Sequence, residues 1–189
     1  MYFKGFIFNS FLFPFTCAVA APAVNIQTSY YSVSGNDSNS LYQSLQQHGP
    51  IGENGNRFHA VTRWKANWSY AWREAANRCQ LDKVEVSVDI EYLLPELKGL
   101  DTKPEKFRND WNSYFLALFK HEQQHKDYAI QAATELEQEL LAINSQQACL
   151  TLKNKMADTA QKVLDKYERK EREFDRVTDH GLKQGIKLP

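Results

Sequence analysis

Cysteine is scarce, three in 189 residues, as are methionine, with two, and proline, with six. A chain of this length can bury a core of its own, so it is not a miniprotein held together by disulfides. Charge of one sign is also missing, since 23 Lys+Arg are balanced by 23 Asp+Glu. That balance argues against a nucleic-acid binder, which needs an excess of cations on one face. Long apolar runs are absent as well. None reaches the roughly 20 residues needed to span a bilayer, the opening segment coming nearest. There is no internal repeat and no low-complexity tract. With 42% hydrophobic and 24% charged residues, the composition is that of an ordinary soluble domain.

The opening segment reads as an export signal. Lys4 is its only charge, residues 5–21 are mostly apolar, and Ala18-Val19-Ala20 forms a small-residue cleavage site before Ala21-Pro22. Asn9, Ser10 and Pro14 interrupt the run, which speaks against a retained anchor, and Thr16 before Cys17 is a poor lipidation context. The expected organisation is a signal peptide at 1–20 and one domain at 21–189, placed in the periplasm or outside the cell. Cys79 and Cys149 then remain, and in an oxidising compartment they are expected to pair.

The domain divides into a β-like front half and a helical back half, an α+β pattern. Residues 25–34 predict a short strand, and Ser38 is expected to cap a small helix carrying Leu41, Tyr42 and Leu45, closed by Gly49-Pro50. Residues 57–72 alternate strictly, with Phe58, Ala60, Thr62, Trp64, Ala66, Trp68, Tyr70 and Trp72 on one parity. Period two over that length predicts a strand with one buried face. Residues 83–92 repeat the pattern with Val84, Val86, Val88, Ile90 and Tyr92, and the strand is expected to end near Pro95. Thr102-Lys103-Pro104-Glu105 has the form of a capping box. The stripe Phe107, Trp111, Phe115, Leu118, Ala129, Ala132, Leu136 and Leu140 then predicts a long helix to about Ala142. A second helix is expected from near Leu152, with Met156, Ala160, Val163, Leu164, Tyr167 and Phe174 inward, and residues 178–189 read as irregular.

The chemistry is carried by His121-Glu122-Gln123-Gln124-His125. Histidines at i and i+4 project from the same side of a helix, one turn apart, where one metal ion can take both imidazoles. Zinc favours such nitrogen ligands, and a catalytic site keeps three protein ligands and one open position. In this motif the carboxylate next to the first histidine takes a proton from the water in that position. Tyr128 and Gln131 stand where a metzincin has glycine and histidine. Glu135, Glu137 and Glu139 follow on the same helix, too far along its axis to complete the site. His48 and His59 read as structural or exposed, and His180 is the expected third ligand, on a tail following the second helix.

These residues resemble a bacterial domain-of-unknown-function family, numbered 922 and described as predicted secreted zinc-dependent proteases. The resemblance is carried by Tyr31-Ser32-Val33-Ser34-Gly35, Gly49-Pro50, Thr62-Arg63-Trp64 to Trp68, Cys79, Leu94-Pro95, Trp111, the HExxH pentapeptide with Ala129, Cys149, and Phe174-Asp175 through Thr178, His180-Gly181 and Gln184-Gly185. Phe174 replaces the tyrosine usual in that family.

The resemblance implies a zincin-like fold, an N-terminal antiparallel or mixed sheet packed on a long HExxH helix and a second long C-terminal helix. It also implies a peptidase using one Zn2+ ion, and its ending with the His180-Gly181 pair agrees with His121, His125 and His180 as ligands and Glu122 as general base. Tyr128, Tyr167 and Arg176 are candidate oxyanion donors, and Asp175 or Asp179 could orient a ligand imidazole. The expected partner is a peptide or protein substrate, aligned by strand addition along 83–92, with no nucleic acid and no stable membrane span. Two other readings are a non-catalytic, metal-stabilised envelope binding protein and a cell-wall peptide amidase or endopeptidase.

Overall fold

The computed structural model describes residues 21–52, 55–143 and 148–188. The expected signal peptide, Cys17 included, lies outside the described residues. The elements run β1 (Ala23–Val33), α1 (Ser38–His48), β2 (Val61–Ala75), β3 (Arg78–Leu97), α2 (Glu105–Leu141) and α3 (Cys149–Thr178), with 3-10 turns at Leu100–Thr102 and Leu182–Gln184. This is an α+β chain with a mixed sheet of order β1-β3-β2, β1 parallel and β2 antiparallel to β3. Among the described residues no helix is long and apolar enough to cross a membrane.

Alternation in β2 and β3 does what period two requires. Ala66, Val84, Val86, Val88, Ile90, Tyr92 and Leu94 are buried, while Arg63, Lys65, Glu85, Asp89 and Glu91 face solvent. The two strands form a hairpin over Ala76 and Asn77, whose φ values of 50° and 59° make a tight turn with two left-handed residues. Near the hairpin the register jumps between Ala71 and Trp72, leaving Asp82 unpaired across the ladder. Such a bulge reverses the parity of the strand beyond it. Leu81 and Cys79, odd-numbered, therefore turn inward. Cys79 is 1% exposed and forms a disulfide with Cys149 at the start of α3, 70 residues along the chain.

Several local expectations are corrected. β3 does not stop at Pro95, which pairs with Tyr31 inside the parallel ladder and is followed by two more strand residues. A proline is tolerated there because its missing donor lies on one side of the strand only. The small helix is capped by Asp37, which accepts from the Ser40 amide at 2.8 Å, one residue before the expected cap. Thr102 closes a 3-10 turn by donating to Gly99 O and does not cap α2. Lys103 is held extended before Pro104, so α2 starts only at Glu105. The second helix begins at Cys149, three residues ahead of Leu152.

α2 is 37 residues, about 55 Å, and serves two apolar clusters. Trp111, Tyr114 and Leu118 pack with Leu41, Leu45, Tyr92, Leu94 and Ile186. Ala129, Ala132, Ala133, Leu136 and Leu140 pack with the β3 valines and with Leu152, Met156, Ala160, Val163 and Tyr167 of α3. Residues 121–125 lie on the turns between the two clusters.

The disulfide closes a long loop, and chain-entropy reasoning assigns such a link about 4 kcal/mol. The Cys79→Ala/Cys149→Ala variant is expected to lose roughly that much unfolding free energy, within the 2–5 kcal/mol range typical of native bridges. Equilibrium urea denaturation against the parent protein checks it, and an unchanged midpoint would contradict it.

Candidate metal centre

His121, Glu122 and His125 are 4%, 5% and 8% exposed. Burying such groups is costly unless each is partnered, and the partners come from three separate elements. α3 supplies two carboxylates, Glu171 and Asp175, spaced i and i+4 like the histidines they face. Asp175 Oδ1 lies 3.1 Å from His121 Nε2 and 3.0 Å from His125 Nε2, and the two Nε2 atoms are 3.4 Å apart. Glu171 Oε1 lies 3.5 Å from His125 Nδ1 and accepts from Trp64 Nε1 at 2.8 Å. The tail supplies Gln184, whose Oε1 faces His121 Nδ1 at 2.8 Å. β2 supplies Thr62, which donates to Glu122 Oε2 at 2.6 Å and to the Glu122 carbonyl at 3.1 Å.

These contacts assign the imidazole faces. Gln184 Oε1 faces His121 Nδ1 at 2.8 Å and Glu171 Oε1 faces His125 Nδ1 at the longer 3.5 Å, so both Nε2 atoms are left to converge with Asp175 Oδ1 on one point. A tetrahedral ion with bonds of about 2.0–2.1 Å separates its ligand atoms by about 3.3 Å. The three observed separations, 3.0, 3.1 and 3.4 Å, fit that size. His121, His125 and Asp175 form one of two groups of potential metal donors among the described residues. The other, Glu74 with Cys79 and Cys149, is tied up as the disulfide.

His180, expected as the third ligand, stands outside this group. Its side chain is 53% exposed, with Nδ1 3.8 Å from Asp175 Oδ2 and its ring 5.1 Å from that of Phe58. The physical reason is the end of α3. The face of α3 that meets the histidines carries Glu171, Phe174, Asp175 and Thr178, and the helix ends at Thr178. Asp179, His180 and Gly181 then all take left-handed conformations, at φ 52°, 48° and 84°, turning the chain back across α2. That reversal carries His180 to the rim and Gln184 to His121. Gly181 lies against the His121 ring and Ile186, where an added Cβ would come within 2.2 Å of Ile186 Cδ1 and 3.2 Å of His121 Cγ.

The other proposed residues separate clearly. Asp175 is itself a donor in the cluster and does not act behind one, while Asp179 is the exposed C-cap of α3. Tyr167 donates to Glu135 Oε2 at 3.0 Å, two turns before Asp175, and Arg176 is an exposed partner of Glu173. Tyr128 packs edge-on against Phe174 and lines an open groove of about 610 Å³ with Lys166, Arg169, Lys170 and Val177. Phe174 stacks on His121 at 4.8 Å between centroids, closing one side of that imidazole with an apolar surface. Thr62, Glu171 and Gln184 were not among the residues expected from sequence. Two carboxylates at i and i+4 on the helix after HExxH are the pattern that could have revealed Glu171 and Asp175.

Burial raises the Glu122 carboxyl above its ordinary range, opposed by the Thr62 hydroxyl and the two imidazoles. Burial would lower His125, but the Asp175 and Glu171 carboxylates outweigh it and hold His125 up at about 10. Asp175, buried yet bonded to both imidazoles, is held far below the usual carboxylate range.

A family model matches residues 28–181, most of the chain and all the cluster residues except Gln184. The chain belongs to the DUF922 family. Its members are described as bacterial proteins of unknown function. No curated protein and no solved structure shows significant similarity to this DUF922 protein.

In the chelated protein, charged His125 stabilises the fold through its carboxylate partners. Because its folded value lies above the ordinary 6.5, that contribution is complete below about pH 6.5 and is lost as pH rises toward 10. Urea midpoints in EDTA are expected to fall across that window, and the fall should be smaller in Asp175→Asn.

Proposed function

We propose that this protein is an exported zinc-dependent peptidase with a zincin-like active site. The observation that carries the proposal is the convergence of His121 Nε2, His125 Nε2 and Asp175 Oδ1 at tetrahedral separations beside the buried carboxylate of Glu122. A structural zinc site is closed by its protein ligands, usually four of them. Here, among the described residues, the donor set comprises three, two nitrogens and an oxygen, with a carboxylate on the adjacent position of the same helix. The disulfide agrees with an oxidising compartment.

His121, His125 and Asp175 would hold the ion. Zinc bound by three protein ligands lowers the pKa of its water toward neutrality and polarises a carbonyl. The chain's own groups do the rest. Glu122 accepts a proton on its carboxylate and returns it to the leaving amine. Thr62 fixes the rotamer of that carboxylate by donating to Oε2. Gln184 and Glu171 hold the two imidazoles with Nε2 turned to the point shared with Asp175, where an ion would sit. Phe174 covers His121 and keeps water from that side. Tyr167 and Arg176 are engaged elsewhere, while His180 stands half-exposed at the rim, 3.8 Å from Asp175 Oδ2.

Substrate alignment by strand addition is ruled out over residues 87–92, where β3 is paired on both sides; residues 83–86 pair with β2 alone.

Glu122→Gln should retain zinc and lose about 10²–10⁴-fold in turnover, while His121→Ala should lose the metal. Asp175→Ala should lose it as well, and His180→Ala should keep it. Metal analysis after dialysis, paired with a casein digest with and without chelator, measures all four. Zinc retained in Asp175→Ala but lost in His180→Ala would return the third ligand to residue 180. Zinc without hydrolysis of any peptide would leave a non-catalytic metal protein.

A further inference from the structure

β1 is one edge of the sheet, and it is built unlike the other edge. β2 carries Arg63, Lys65, Arg73 and Glu74 with their side chains exposed, the charges that natural edges use to deter pairing. β1 is eleven residues without a single charge. Residues 23–30 are exposed throughout, even though β1 is hydrogen-bonded to β3 along its whole length. On the helix-bearing face, Val24, Ile26 and Tyr30 are 39%, 50% and 58% exposed. Their neighbours across the ladder, Val88, Ile90 and Leu94, are at most 2% exposed. The apolar layer thus continues one strand beyond the cover that α2 and α3 provide. A long, uncharged edge with an apolar face is a template for another strand.

We propose that β1 pairs with β1 of a second copy of this chain, antiparallel about a two-fold axis, extending the sheet to β2-β3-β1-β1-β3-β2. A two-fold contact sets a strand against its own copy, so a charge at the axis meets its like and a charge elsewhere on the strand is drawn into the seam. β1 is the strand that avoids this. Side-chain parity agrees. A pairing centred on Gln27 sets Val24 of one copy opposite Tyr30 of the other and Ile26 opposite Thr28, all on the apolar face. Asn25, Gln27 and Ser29 fall on the polar face, where Asn25 already donates to Asp89 at 2.9 Å. The axis stands perpendicular to the sheet, so both copies keep their helices on one side.

Sedimentation velocity or light scattering from about 1 to 100 μM tests the proposal, a range that brackets micromolar affinity. The expected result is a concentration-dependent dimer, weakened at least about tenfold by Ile26→Lys or by Tyr30→Lys, since each substitution enters the contact twice. Both side chains are half-exposed, and circular dichroism with an intact Cys79–Cys149 bridge verifies that the variants fold. Hydrogen exchange supplies the second measurement. Amides of residues 24–30 should gain protection as concentration rises, and amides of β2 should not. A monomer throughout that range, or a dimer indifferent to both substitutions, overturns the proposal.

Discussion

Two imidazoles and a carboxylate sit inside the protein on successive turns of α2, and everything around them is arranged to make that tolerable. Desolvating such groups costs several kcal/mol unless each finds a partner. The apolar stripe of α2 cannot supply those partners, so the polar turns fall between its two hydrophobic clusters. Partners come instead from β2, from α3 and from the tail. Thr62, Asp175, Glu171 and Gln184 lie 60, 54, 46 and 63 residues from the histidine or glutamate they serve. The cluster therefore forms only when the whole domain has folded.

Electrostatics gives the cluster a direction. Each imidazole presents Nδ1 to an acceptor and Nε2 to the common point shared with Asp175. Asp175, one of the two carboxylates that hold His125 up, is also the one that an ion on Nε2 would draw on, so proton and cation would compete for one place. Glu122 is turned to Thr62 and lies within the electrostatic influence of both imidazoles and Asp175. The turn after α3 completes the cradle. Asp179 and His180 are non-glycine residues in left-handed backbone, a conformation that costs of order 1–3 kcal/mol each and is found where tertiary structure imposes it. Here it brings Gly181 and Gln184 against His121.

The far end of the molecule is fixed by different means. A single bulge near the β2–β3 hairpin reverses the parity of β3, and that reversal aims Cys79 at the head of α3. The bridge anchors α3 at its start, and the carboxylate–imidazole cluster anchors it near its end. Between them, Leu152, Met156, Ala160 and Val163 pack against α2 and β3.

Elements governed by local periodicity were legible in the sequence. Period two gave β2 and β3, period 3.6 gave α2 and α3, and the HExxH spacing placed His121, Glu122 and His125 on one face. The paired cysteines were legible from their number and expected compartment. Caps and strand ends were less so, because Asp37, Lys103-Pro104 and Pro95 are decided by one or two hydrogen bonds and not by a repeating pattern. Which residue joins His121 and His125 in the cluster was decided by tertiary structure alone. Asp175 and His180 are five residues apart, and both resemble ligands on paper. Only the packing of α3 on α2, and three left-handed residues after it, settle which of them faces the histidines, since side-chain direction beyond a helix end depends on a backbone reversal that sequence spacing does not encode.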